Sequence, residues 1–211
     1  MLASTTIALI AISQSTAVTA TVAEYFPMNP GDEWTYEEKA GKSGAVSVDA
    51  VGSAVPIAGS PAIPISTRLD GQPSGVAYHR IVGDSVMIVA FEIDKPLDPP
   101  YPILKCDSDR RGTWEYNGRT SFMGEFANLT LKGSTKPGPM MDVLGTKMET
   151  IEVRLDAVVS VPELPNAGVK NQQIAFYAKG IGLVELRETS QVKNRREERT
   201  RKLVSYKPKG K

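Results

Sequence analysis

Hydrophobic and polar residues alternate most regularly in residues 147–161, which read KMETIEVRLDAVVSV. The apolar positions that share one face are Ile151, Val153, Leu155, Ala157, Val159 and Val161. Polar or charged residues occupy the positions between them, with Val158 as the exception. Successive side chains of a strand point to opposite faces, so this period of two predicts a strand with one face in the core and one in water.

Residues 78–93, YHRIVGDSVMIVAFEI, have the pattern of a hairpin. Gly83 and Asp84 stand between two runs that are rich in β-branched residues, and such a pair favours a tight turn. The second run is apolar on both faces, which is typical of a strand that lies inside a sheet rather than at its edge.

Residues 171–190 contain an interrupted strand pattern. Ile174, Phe176 and Ala178 occupy alternate positions, and the segment Gly180-Ile181-Gly182 then separates them from a further apolar run. Paired glycines inside a strand pattern predict a bulge or a sharp bend, where another part of the backbone passes close by.

Proline-rich segments separate these patterns. They read GSPAIP at 59–64, KPLDPPYP at 95–102 and KPGPMMD at 136–142. Proline lacks the N–H that a β ladder requires, so these segments are expected in loops or at sheet edges. No segment has the apolar stripe of an amphipathic helix. The sequence therefore predicts an all-β, mainly antiparallel domain, built as a strongly curved sheet, an open barrel or a sandwich.

Residues 193–203, KNRREERTRKL, fit two alternatives. A helix would pair Glu197 with Arg201 and Glu198 with Lys202 at the i,i+4 spacing. A charged edge strand would return from a turn at the start of this segment, and charge on an edge hinders aggregation. The strand is the preferred interpretation, and it gives the domain a basic C-terminal edge or tail.

Residues 1–23 differ from the rest of the chain and are predicted to be a signal peptide. IALIAI at 7–12 is a short apolar core, and VTA at 18–20 or TVA at 21–23 supplies small residues for cleavage. No Lys or Arg precedes the apolar run, so a frayed N-terminal strand or helix is the alternative. No cysteine directly follows it, which excludes a bacterial lipoprotein anchor. The mature chain, 24–211, is expected to be a single β domain, soluble and exported to the periplasm or beyond, without a transmembrane segment.

Two short aromatic motifs resemble each other. GDEWTY at 31–36 and GTWEY at 112–116 each lead from a glycine into Trp-x-Tyr, which places both rings on one face of a strand. The two pairs are either related positions in two halves of the sheet or large rings that fill a core beside a turn. The second interpretation is preferred.

The composition narrows the class of function. The chain has 211 residues, the length of one domain, and 41% of them are hydrophobic. Its 25 Lys and Arg nearly balance 24 Asp and Glu, which gives no case for a nucleic-acid partner. Basic residues concentrate in residues 187–211, where ten Lys and Arg face three Glu. One histidine and one cysteine exclude a two-histidine metal motif, a four-cysteine zinc site and an intramolecular disulfide.

Three short segments match parts of catalytic or nucleotide-binding motifs, but each lacks another residue that its motif requires. GDS at 83–85 has no histidine after it, GKS at 41–43 lacks the P-loop glycine five positions ahead, and GIG at 180–182 lacks the third glycine of a dinucleotide site. We therefore assign no catalytic, cofactor-binding or metal-binding residue. A pair of carboxylates that hydrolyses glycosides has no sequence signature, so this class stays an alternative.

The remaining residues with reactive or metal-binding side chains are expected to have no catalytic or metal-binding role. Cys106, Asp107 and Asp109 cluster in CDSDRRG at 106–112, where two arginines would neutralise a cation site. A solvated polar loop is expected there, and the sequence leaves the role of Cys106 open. The single histidine, His79, is expected at the surface or with its hydrogen bonds satisfied.

The opening YFPMNPGDEWTY at 25–36 and the late segment YAKGIGLVELR at 177–187 resemble the two ends of secreted bacterial β-rich proteins of unknown function. The motifs that carry the resemblance are YFPxxxGxxWxY and GxGLV. The resemblance implies an exported antiparallel β domain, and lipoprotein carriers of the LolA type are similar to it in general shape. It implies no catalytic residues.

The sequence therefore predicts a non-enzymatic exported domain that binds a lipid or other apolar small molecule, or an envelope component such as an envelope protein. The alternative is a structural or assembly module that works through edge strands and the basic C-terminal segment. A hydrolase with an unrecognised carboxylate pair is the third hypothesis. The carrier hypothesis requires spare volume, lined by apolar residues, inside the curved sheet.

Overall fold

The computed structural model describes residues 20–122, 125–161, 164–193 and 195–209. Residues 1–19, most of the predicted signal peptide, lie outside the described residues. No helix in the described ranges has the length and apolar character needed to cross a membrane. Within these ranges the elements are α1 (Ala20–Tyr25), β1 (Glu33–Ala40), β2 (Ser43–Val51), β3 (Val55–Ile57), β4 (Ser60–Leu69), β5 (Gln72–Val82), β6 (Ser85–Glu92), β7 (Lys95–Lys105), β8 (Gly112–Phe122), β9 (Glu125–Pro137), β10 (Met141–Val143), β11 (Thr146–Met148), β12 (Thr150–Val161), β13 (Leu164–Ala178), β14 (Gly182–Val192) and β15 (Arg195–Lys207).

A single antiparallel sheet contains most of these strands. Its order is β7-β6-β5-β4-β2-β1-β15-β14-β13-β12-β9-β8, with β3 added beside β4. The chain runs from β1 out to β7, begins again at β8 and returns to β15, which pairs with β1. β10 and β11 form a separate hairpin. The predicted all-β, mainly antiparallel class is confirmed.

One buried cluster shows how strongly the sheet curves. Val86 on β6 and Ala175 on β13 belong to this cluster although six strands separate β6 from β13 in the sheet order. Leu104 on β7 and Tyr116 on β8 belong to it as well, although these strands lie at the two ends of the order. The sheet therefore wraps around its concave face into a nearly closed, barrel-like form.

Side chains of β8 bridge the gap between the two ends of the sheet. The Trp114 indole N–H donates a hydrogen bond to the Pro102 carbonyl at 3.2 Å, and the Tyr116 hydroxyl donates to the Pro99 carbonyl at 2.9 Å. Both acceptors lie on β7, whose prolines lack the N–H groups that a ladder needs. The Trp114 ring also covers Gly133 on β9, where a Cβ would collide with the indole.

The segment around α1 packs into the same concave face. Val22 and Tyr25 are buried in the cluster that the strands form, and the Phe26 N–H donates to the Val22 carbonyl at 3.0 Å. The Glu24 carbonyl accepts a hydrogen bond from the Gly180 N–H at 2.7 Å. These contacts make residues 22–26 part of the folded domain.

The strand predicted from the regular alternation of residues 147–161 is confirmed. It is β12, which pairs with β9 and β13 and buries Ile151 and Val153 while Arg154 and Asp156 are exposed. The strand begins at Thr150 rather than at residue 147 because the preceding residues form β11.

The predicted hairpin of residues 78–93 and the predicted sharp bend at the paired glycines are also confirmed. Gly83 has a φ of 59° in the turn between β5 and β6, and β6 pairs on both sides, as its two apolar faces predicted. Gly180 and Gly182 have φ values of 74° and 96°. Gly180 lies in the turn between β13 and β14 and Gly182 begins β14; this left-handed region of backbone conformation favours glycine.

The prediction for prolines is right for one segment and wrong for another. KPLDPPYP forms β7, which lies at an edge as expected. GSPAIP instead begins β4, which lies inside the sheet. The reason is position: Pro61 pairs with the short β3, and Pro64 precedes Ile65, where pairing with β2 begins. The Pro64 carbonyl still accepts the Gly52 N–H at 2.9 Å, since proline lacks only the donor.

The predicted C-terminal strand is confirmed, but its edge position is wrong. β15 pairs with β14 on one side and with β1 on the other. An inner strand tolerates this much charge because Arg199 and Arg201 form ion pairs with Glu38 on β1, while residues such as Arg196 and Glu198 extend into solvent.

Candidate ligand-binding cavity

A cavity of about 440 Å³ lies against the concave face of the sheet. Its walls come from β1, β2, β4 to β7 and β13 to β15, and from the two residues that follow α1. The apolar and aromatic residues that line it are Phe26, Pro27, Trp34, Tyr36, Ile65, Val76, Ala77, Phe91, Ile103, Tyr177, Leu183 and Leu186. We call the exposed part of the lining, Ser74, Gly75 and Arg199, the mouth. The spare apolar volume that the carrier hypothesis requires is therefore present.

The aromatic opening of the domain supplies one wall of the cavity. Trp34 and Tyr36 are neighbours on the inner face of β1, as the Trp-x-Tyr spacing predicted. The Trp34 indole N–H donates to the Ile181 carbonyl at 2.6 Å, and the Tyr36 hydroxyl donates to the Leu183 carbonyl at 3.3 Å. The pairing of β14 with β15 begins only at Glu185, so these two carbonyls lie where the strands diverge. The two rings therefore fill that divergence and satisfy its backbone acceptors.

Four charged residues, which we call the charged cluster, share the lining with these rings: Glu38, Asp49, Arg199 and Arg201. Arg201 Nη2 donates to Asp49 Oδ1 at 2.8 Å, and its Nε lies 3.2 Å from Glu38 Oε1. Arg199 Nε donates to Glu38 Oε2 at 2.8 Å, and its Nη2 contacts the same oxygen. The two arginines and the two carboxylates therefore give the cluster no net charge.

Alternation along two neighbouring strands builds this cluster. Trp34, Tyr36 and Glu38 follow each other at every second position of β1 and therefore point inward together. Arg199 and Arg201 do the same on β15, which pairs with β1. The Arg201 guanidinium lies 3.9 Å from the centre of the Tyr36 ring, a cation–π contact that joins the charged and aromatic parts of the wall.

Burial and pairing act in opposite directions on the cluster. Burial alone would raise the pKa of Glu38, but hydrogen bonds with Ser47 and Arg199, together with the charges of Arg199 and Arg201, hold that pKa below its usual value. Burial and the charge of Asp49 raise the pKa of the Tyr36 phenol well above its usual value. Glu38 is therefore a carboxylate and Tyr36 a neutral phenol at physiological pH.

His79 lies in the cavity wall, which contradicts the expectation that it is a surface or a satisfied histidine. It is buried, its ring lies 5.4 Å from the ring of Phe26, and its Nδ1 has no hydrogen-bond partner among the described residues. Burial lowers the pKa of His79 to about 4, although the carbonyls of Ala77 and Ile63 favour the charged form. The surface expectation fails because β5 is an inner strand that turns this residue toward the concave face.

The other residues considered from the sequence lie outside the cavity. Cys106 is a free, buried thiol in the core cluster, and burial raises its pKa to about 11. Asp107 Oδ1 accepts the backbone N–H groups of Asp109 and Arg111 at 2.9 and 2.8 Å, so this carboxylate holds its own loop together. The expected polar loop is confirmed there.

The charged cluster is the part of the site that the sequence did not indicate. Glu38 continues the inward stripe of Trp34 and Tyr36, and this is the signal that could have identified it. Arg199 and Arg201 sit in a run of charged residues that reads as solvated on both faces. Their inward orientation depends on β15 pairing with β1, a contact across more than 160 residues of the chain.

No protein-family model and no curated protein matches this chain. Two solved structures are similar to it in fold. One is a predicted exported protein of Bacteroides fragilis with a YmcC-like fold, which is 14% identical, covers 87% of this chain and 99% of its own, and gives a TM-score of 0.51. The other is a predicted lipoprotein of Parabacteroides distasonis, which is 10% identical, covers 87% of this chain and 98% of its own, and gives a TM-score of 0.48. At 14% identity, the first similarity establishes a shared fold.

Proposed function

We propose that this protein is an exported, non-enzymatic binding protein that holds one elongated apolar molecule in its cavity. The observation that carries this proposal is a cavity of about 440 Å³ lined by aromatic and aliphatic side chains. Sites for small molecules commonly measure ~300–1,000 Å³ and combine apolar walls with a few polar groups. The volume and the lining both match that description.

The energetic cost of spare volume supports an occupant. Protein interiors are packed as tightly as organic crystals, and unfilled apolar volume destabilises a core by about 24 cal/mol per Å³. Ala77 in the wall and Gly75 at the mouth are small residues, and a Cβ added at Gly75 would meet no atom within 4 Å. These small side chains leave the cavity and its entrance open to a ligand.

The export part of the proposal has two supports. The apolar run at 7–12, followed by small residues, has the pattern of a signal peptide. A Bacteroides fragilis protein of similar fold is also a predicted exported protein. The same two observations favour a bacterial envelope or extracellular location for this chain.

The charged cluster favours binding over hydrolysis. Glu38 and Asp49 are the carboxylates in the cavity wall, and each is engaged by an arginine. A carboxylic acid that protonates a leaving group needs a raised pKa, whereas the pKa of Glu38 is lowered. The assembly-module alternative loses part of its basis, because residues 199–202 of β15 are paired with β1 on one side and with β14 on the other.

Titration with N-phenyl-1-naphthylamine, an apolar dye that becomes fluorescent out of water, tests the proposal. The wild type should bind the dye saturably at one site. Gly75→Trp should weaken binding at least ~10-fold, about 1.4 kcal/mol, because an indole at this position obstructs the mouth. Val82→Trp is the matched control, since Val82 lies on the same strand, is exposed and does not line the cavity. A wild type that does not bind, or equal binding by the wild type and Gly75→Trp, would overturn the proposal.

A further inference from the structure

The charged cluster is poorly explained by stability alone. Burying a charge costs several kcal/mol, and replacing a buried ion pair with apolar residues is often neutral or stabilising. Glu38 has 6% of its side chain exposed, and the side chains of Arg201 and Asp49 are 13% exposed. Ionisable groups held in this way beside a cavity are typical of recognition sites.

Three members of the cluster are largely buried and are engaged by their neighbours. Arg201 donates to Ser47 Oγ at 3.0 Å and to Asp49 at 2.8 Å, and its guanidinium lies over Tyr36. Asp49 also accepts a hydrogen bond from the Thr67 hydroxyl at 2.7 Å. Glu38 receives both arginines. These groups form a fixed polar end to the apolar cavity.

Arg199 differs from the other three in its exposure. Like Arg201, it forms hydrogen bonds through Nε and Nη2 and forms none through Nη1 within the described residues. Its side chain is 48% exposed, so it stands between buried Glu38 and the solvent at the mouth. A guanidinium has five N–H donors, so the two on Nη1 of this half-exposed side chain are available to a ligand at the mouth.

The charged group that the mouth presents to solvent is a cation. Arg199 is 48% exposed, whereas Glu38, at 6%, lies buried behind Arg199 and Arg201. A cation at the entrance of a low-dielectric cleft attracts anionic ligands. Hydrogen bonds from a guanidinium to a carboxylate or phosphate are about twice as strong as those between neutral groups.

We propose that the ligand is an amphiphile whose acidic head group, a carboxylate or a phosphate, binds Arg199 at the mouth while its hydrocarbon part lies along the aromatic wall. This inference rests on the proposed function, because it requires the cavity to hold an apolar chain. It adds the class of ligand and the residue that selects it.

The test compares three ligands with the same chain: dodecanoic acid, dodecyl phosphate and dodecanol, each measured by displacement of N-phenyl-1-naphthylamine. The wild type should bind at least one of the two acids ~10-fold or more tightly than the alcohol. The acid that binds better identifies the source, a free fatty acid or a phosphorylated lipid.

Variants of Arg199 test whether this residue recognises the acidic head group or only maintains the structure of the cavity. Arg199→Gln should remove the preference for the acids and leave the affinity for dodecanol unchanged, whereas Arg199→Lys should keep part of it. Arg195→Gln is the matched control, because Arg195 lies on the same strand, is 83% exposed and does not line the cavity. It should behave as the wild type does.

Three outcomes would overturn the inference. They are equal wild-type binding of acids and alcohol, an equal loss of all three ligands in Arg199→Gln, and the same loss of preference in Arg195→Gln. In each case the proposed function survives if the dye still binds. If neither the dye nor any of the three ligands binds the wild type, the proposed function itself fails.

Discussion

Trp34 and Tyr36 show, at the scale of single residues, what sequence can and cannot indicate. Their shared face follows from the spacing of two positions on a strand. Their hydrogen-bond acceptors, the carbonyls of Ile181 and Leu183, lie 147 residues away and follow only from the folded sheet. His79 is similar: no neighbour in the sequence marks it as buried, and its environment comes from Phe26 and from the curvature of the sheet.

The buried imidazole of His79 predicts a pH-dependent stability. Burial lowers its pKa from 6.5 to about 4, and this outweighs Asp49, which favours the charged form. Because the unfolded chain takes up the proton first, the stability contributed by His79 is present above pH 6.5 and is lost as the pH falls toward 4. We expect the free energy of unfolding in urea to fall by about 2 kcal/mol between pH 7.5 and pH 5 through this residue.

His79→Phe provides the control for this effect, because phenylalanine keeps a ring in the wall and cannot titrate. The loss of stability between the two pH values should be smaller in the variant than in the wild type by about that amount. The carboxylates of the cluster are present in both proteins and so cancel in the comparison. Parallel pH profiles would show that His79 is not the buried neutral group described here.

At the scale of elements, the alternation of apolar and polar residues predicts strands correctly where the apolar face is buried in the core. β12 and the β5–β6 hairpin were predictable because alternation and turn residues act over a few positions. β15 was predicted as a strand, but its place inside the sheet was not, since its charges are neutralised by residues from β1. A helix near α1 is the alternative interpretation of the N-terminal segment, since its small apolar residues fit a cleavage region equally well.

The position of α1 leads to a prediction about processing. The sequence allows cleavage after Ala20 or after Ala23, and the second would remove Val22, which is 0% exposed in the core cluster. We expect the exported chain to begin at Thr21. Intact mass and N-terminal sequencing of exported protein measure this directly.

Stability supplies an independent comparison for the same element. A chain beginning at Glu24 should be less stable than one beginning at Thr21 and should unfold at a lower urea concentration. We expect its free energy of unfolding to be lower by about 1.5–3 kcal/mol, the contribution of a buried valine. A mature chain that begins at Glu24 and is as stable as the longer one would contradict the role given to α1.

At the scale of the molecule, the sequence predicts an antiparallel and strongly curved or barrel-like sheet, as observed, but not the pairing that joins its two halves. Alternating strands and turns indicate antiparallel neighbours, whereas the return of β15 to β1 joins Glu33 to Lys207 and depends on long-range packing. The cavity depends on that pairing, because its walls come from strands of both halves of the chain. A ligand-binding interior could therefore be proposed from the sequence, but its lining could not be named.

Native mass spectrometry of protein purified from the exported fraction, followed by solvent extraction, tests the central claim most directly. We predict a reproducible additional mass that is released into the solvent, absent from Gly75→Trp and retained by Val82→Trp. A wild-type spectrum with the bare mass of the chain in repeated preparations, together with an empty extract, would contradict the claim that this domain holds an apolar molecule.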